Sequence, residues 1–147
     1  MKTTWIVIAD RSGARILRHQ GTSHGLQLAA EIAHPEGRLR PREIEADRPG
    51  RVHDRMGSHR HGVAREEAPT EHLAKAFAHD IAERLRKARL ERQFEALVLV
   101  AGPHLLGHLR EALDAPTAAL VSAELHKDLQ DVPVDDLPRH LADVVPL

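Results

Sequence analysis

Residues 94–103 read Phe-Glu-Ala-Leu-Val-Leu-Val-Ala-Gly-Pro, and no polar side chain interrupts the run from Ala96 to Ala101. A strand with one wet face alternates apolar and polar residues, whereas a strand covered on both faces is apolar throughout. The stretch Phe94–Ala101 is therefore predicted to be a central strand with helices on both sides of its sheet. Gly102 ends it, and Pro103, whose missing N–H and fixed φ suit a first helical turn, opens a short helix through Leu113.

Toward the amino terminus, Leu73, Phe77, Ile81, Leu85 and Ala88 recur at helical spacing and predict a long helix with one buried face, capped by Thr70 with Glu71 in its first turn. Asp80–Arg84 and Glu83–Lys87 are spaced as favourable pairs on its other side. Further back, Thr3–Ala9 is rich in β-branched and aromatic residues. Asp10, Arg11, Ser12 and Gly13 then supply a turn before Ala14, Ile16 and Leu17 resume, and Gly21–Gly25 makes a second turn before Leu26, Leu28 and Ile32. These three strands form a meander. Beyond the decisive run, Ala118–Ala123 is expected as a fifth strand, Glu124–Val132 has no clear period, and Asp135 is placed to cap a last helix through Val144. The predicted order is β-β-β-α-β-α-β-α: one α/β domain over residues 1–147, a single mixed sheet with helices on both faces.

Composition narrows the chemistry. The chain has 147 residues, 21 Lys+Arg against 22 Asp+Glu, no cysteine, and Trp5, Phe77 and Phe94 as its aromatics. Disulfides, thiol nucleophiles and thiolate zinc sites are excluded, and platforms on which bases could stack are lacking. The apolar run after Met-Lys-Thr-Thr meets Asp10 and Arg11 at once, too soon for a signal peptide or a membrane span. A cytoplasmic protein without a membrane partner is the expectation.

One stretch departs from this even charge. Pro35 to Pro69 has no hydrophobic period and is punctuated by prolines and glycines, and so long a loop in a small domain is usually functional or disordered. Between 48 and 65 it carries Arg48, Arg51, Arg55, Arg60 and Arg65 with Asp54 as its one acid, a local charge of +4 with histidine neutral. Guanidinium groups grip phosphate bidentately and keep their charge, so structured RNA is the expected partner, with His61 assisting. The competing reading is a solvated loop balanced by Glu43, Glu45, Asp47, Glu66 and Glu67. His53, Asp54, His59 and His61 form an alternative ligand set for zinc or nickel, at no familiar spacing. A loop of this composition buries too little apolar surface to offset its ordering entropy, so it is expected to be mobile in isolation.

Other motifs are weaker. Gly102 to Leu109 has the glycine spacing of a phosphate loop, but His108 stands where the lysine belongs and Leu109 where a hydroxyl belongs, so an NTPase is rejected. The strand order also allows a ribonuclease H-like reading, for which Asp10 is well placed but further converging carboxylates are missing. Glu71, Asp80 and Glu83 lie on the helix's wet face. Glu124, Lys127 and Asp128 suggest a local salt-bridged turn. No serine sits in a nucleophile elbow, and no cofactor is expected.

The collinear set TTWIVIADRSGARILR, DRPGRVHDRMGSHRHG, EHLAKAFAHDIAERLRKA, ALVLVAGPHLLGHLREAL and ELHKDL resembles the bacterial host-attachment protein family over nearly the whole chain. More distantly it resembles the middle domain of archaeal and eukaryotic peptide-chain release factors and of Pelota, with the ribosomal-protein fold they share. The resemblance implies that the 35–69 loop corresponds to the one bearing the Gly-Gly-Gln tip in release factors. Here that place reads Gly57-Ser58-His59-Arg60-His61-Gly62, and no glutamine occurs between Pro35 and Pro69. Peptidyl-tRNA hydrolysis therefore does not carry over, whereas a non-catalytic ribosome-binding role needs no such residue. A metal-dependent hydrolase using Asp10 or the His53–His61 group, and a cytoplasmic protein-interaction domain acting on attachment indirectly, are the alternatives.

Overall fold

The computed structural model describes residues 2–21, 25–34 and 69–145, with 69 and 70 through their backbone only. Three strands open the chain: β1 (Thr4–Asp10), β2 (Gly13–His19) and β3 (Leu26–Ala33). The long helix α1 (Pro69–Leu90) precedes β4 (Ala96–Val100), and α2 (Pro103–Ala112) follows it. A one-turn α3 (Ala115–Ala118) leads into β5 (Val121–Leu125), and a 3-10 turn at Val134–Asp136 leads into α4 (Leu137–Leu141).

The sheet order is β3-β2-β1-β4-β5. β1 runs antiparallel to β2, from Thr4 opposite His19 to Asp10 opposite Gly13, and parallel to β4, from Thr4 beside Ala96 to Ile8 beside Val100. The side-chain period of two then divides the core. Trp5, Val7, Leu97 and Leu99 meet Phe77, Ile81 and Leu85 of α1 and Leu106 and Leu109 of α2 on one face. On the other, Ile6, Ile8, Val98 and Val100 meet Leu129, Leu137, Leu141 and Val145. The mixed α/β sheet covered on both faces is as expected, and β4, together with its neighbour β1, is buried on both.

Several boundaries differ, each for a local reason. Pro69 starts α1, which puts Thr70 inside the first turn rather than before it. Glu83 takes Arg86, three residues on, as an ion-pair partner at 2.6 Å. The fifth strand begins three residues later than expected because Pro116 supports a helical turn through Ala118 before the chain extends. Near the carboxyl end the predicted single helix is a 3-10 turn followed by five α-helical residues, and Asp135 lies within the turn instead of capping.

Two details fix the edges of this frame. In the hairpin, the Asp10 carboxylate accepts hydrogen bonds from the Ser12 N–H (2.8 Å) and hydroxyl (2.7 Å), so Asp10 is a turn residue. α1 closes with Arg92 in the left-handed region (φ 58°), while the N–H groups of Arg92 and Gln93 donate to the carbonyls of Arg89 and Ala88 at 2.9 Å each. This is the Schellman arrangement, with arginine where glycine is usual. Among the described residues no helix is long and apolar enough to cross a membrane.

Candidate functional site

From β1 the chain turns aside to β2, and from β4 it proceeds through α2 to β5 on the opposite side. Where parallel strands diverge in this way, a crevice opens beyond their carboxyl ends. A cleft of about 520 Å³ lies there, bordered by Asp10, His34, Glu71, Phe77, Gly102 and His104 among others. Its walls are firmly set. The His34 N–H donates to the Ser12 carbonyl at 3.0 Å, its Nδ1 lies 2.9 Å from the Arg11 carbonyl oxygen, and its ring stacks on Phe77 with centroids 4.2 Å apart and planes within 2°.

At one end of the cleft three side chains converge. Gly102, extended at ψ 161°, lets the chain leave β4 and enter α2 at Pro103. His104 and His108 then stand four residues apart, one above the other on a helix face. α2 packs beside α1, whose first turn supplies Glu71. His104 Nε2 hydrogen-bonds Glu71 Oε2, and His108 Nε2 lies 2.6 Å from Glu71 Oε1. The two rings meet edge to face, centroids 4.9 Å apart. His108 is mostly buried at 11% side-chain exposure, Glu71 is intermediate at 27%, and His104 is open at 72%. The hydrogen bond from His104 is the main reason that the Glu71 carboxyl is held below the usual carboxylate range, against an opposing desolvation effect.

A second polar cluster is structural. Arg110 of α2 grips Glu124 of β5 with Nε at 2.9 and 3.0 Å from the two carboxylate oxygens and Nη2 at 2.5 Å from one of them. Glu124 thus ties a helix to a strand and is no part of a local turn with Lys127 and Asp128. Arg15 Nη2 donates to the Leu129 carbonyl at 2.7 Å.

The sequence-predicted residues Arg48, Arg51, Arg55, Arg60, His61 and Arg65, and the alternative set His53, Asp54, His59 and His61, lie outside the described residues. Sequence reasoning missed the group of Glu71, His104 and His108. The i, i+4 histidine pair was a usable signal in the very segment scanned for a phosphate loop, whereas Glu71 joins it only through the packing of α1 on α2.

Comparison with known proteins adds the following. The model of a family described as "Protein required for attachment to host cells" matches residues 5–141. No curated protein matches. Among solved structures, an archaeal translation termination factor aligns at 13% identity with a TM-score of 0.47, over 96% of this chain and 38% of its own. Another archaeal protein aligns at 11% identity with the same score, over 96% and 37%. The chain spans less than two fifths of either.

Proposed function

Since this chain belongs to the family of proteins required for attachment to host cells, we propose that it serves attachment from the cytoplasm, as a non-catalytic domain that binds structured RNA, ribosomal RNA included. The observation that carries the reading is the charge of residues 48–65, five arginines with one aspartate. Supporting it, His34 and Glu71, which flank residues 35–69 in sequence, border one cleft. Arginine contributes phosphate contacts that do not depend on base sequence, and with few aromatics in the chain, base stacking adds little.

Each phosphate neutralised releases a condensed counterion, so affinity is expected to fall steeply as salt rises. Changing Arg51, Arg55 and Arg60 together to alanine should flatten that dependence and weaken binding to all structured RNAs alike, with thermal stability nearly unchanged, as expected of charges that serve binding rather than folding. Ribosome co-sedimentation and RNA binding across a salt series, wild type beside the triple variant, test this. Salt-insensitive binding that is equal for both proteins, or no binding by either, overturns the proposal in favour of a protein-interaction role.

A further inference from the structure

We propose that Glu71, His104 and His108 form a binding site for one divalent transition-metal ion of the zinc class, with its remaining coordination positions open to the cleft. The inference is independent of RNA binding, since it rests on the described core and not on residues 48–65.

The donor set is two imidazole nitrogens and one carboxylate oxygen, which suits zinc, cobalt or nickel and suits magnesium or calcium poorly. All three ligand atoms lie within 4.8 Å of one another. Two histidines four apart on a helix with an acidic ligand from a neighbouring element is a recurrent way of holding zinc with a position left for water or substrate. The elements are firm: α2 is anchored by the buried Leu106 and Leu109, α1 by Phe77 and Ile81.

The local geometry already gathers the donors. His108 Nε2 is buried and stands 2.6 Å from Glu71 Oε1, while His104 Nε2 faces the other oxygen of the same carboxylate. One carboxylate shared by two ring nitrogens places three ligand atoms around a common point, which a metal ion can occupy. With bonds of 2.0–2.1 Å, tetrahedral ligand atoms stand roughly 3.3 Å apart. The His108–Glu71 contact needs to open by less than about an ångström, and the exposed ring of His104 is free to follow. Glu71 and His104 line the cleft, so the open positions face its interior.

Zinc titration of the full chain by calorimetry or equilibrium dialysis at neutral pH is the test, with cobalt(II) as a spectroscopic probe and magnesium as the contrast. One equivalent of zinc is expected on the wild type and none of magnesium. Glu71→Gln, which keeps the side chain's shape, and His108→Ala should each weaken zinc by at least roughly tenfold, a loss that changes outside the ligand shell already bring. Both should also remove the visible absorption of bound cobalt. The triple variant His53→Ala, His59→Ala, His61→Ala should keep one equivalent and the same cobalt spectrum, and circular dichroism should show every variant folded. Absence of stoichiometric zinc on the wild type, zinc that survives both Glu71→Gln and His108→Ala, or zinc lost in the triple variant overturns the site.

Discussion

Arg92 and His19 show how single residues tune this domain. In the left-handed region an L side chain crowds its own backbone, at about 1–2 kcal/mol, while glycine is unhindered there. Arg92 holds that conformation because the carbonyls at the end of α1 need its N–H and that of Gln93. Arg92→Gly should therefore stabilise the domain, by less than about 1 kcal/mol once the extra freedom of glycine in the unfolded chain is subtracted; an unchanged or lower denaturant midpoint contradicts this. His19 ends β2 at 3% exposure with Nε2 buried and unbonded, and burial pushes its pKa below 6.5. As pH drops through 6.5 the unfolded chain takes up this proton before the folded one does. The contribution of His19 to stability should thus decline from about 6.5 downward and level off below the folded value. Stability curves between neutral and mildly acid pH should be flatter for His19→Gln than for wild type, and identical slopes refute the assignment.

Among the elements, β4 was the most legible in sequence, because burial on both faces erases polar residues from the run. Leu99 is fully buried beside Phe77, Ile81 and Leu85. Leu99→Ala should cost about 2–5 kcal/mol, the usual loss for a buried leucine whose cavity cannot collapse; urea denaturation with an unchanged m-value measures it, and a loss below about 1 kcal/mol means that the packing is looser than described. The hairpin was legible through Asp10-Arg11-Ser12-Gly13, whose turn chemistry is local. Harder to read were α3 and the start of β5. Ala, Thr and Val at 115–121 carry weak and conflicting propensities, and the local effect of Pro116 is reinforced by a long-range contact: Thr117 is buried and its hydroxyl accepts a hydrogen bond from Arg89 Nε at 2.9 Å, pinning the turn to α1. The same limit hid the metal site. Its two histidines share one helix, but the carboxylate comes from an element far away in sequence, and residue spacing carries no record of that contact.

For the molecule as a whole, the charge of residues 48–65 and the host-attachment resemblance could both be read directly, since neither depends on which surfaces meet. The sheet order carries a consequence of another kind. β1 sits between a neighbour that follows it at once and a neighbour, β4, that aligns Ala96 beside Thr4. During synthesis the hairpin can close as soon as β2 has emerged, while the other edge of β1 waits for β4. At roughly 5–20 residues per second the wait lasts several seconds. Throughout it, Trp5, Ile6, Val7 and Ile8 present an apolar strand with one side unpaired, the kind of edge on which nascent chains join one another. Until β4 emerges, the growing chain thus carries an apolar strand with one edge open.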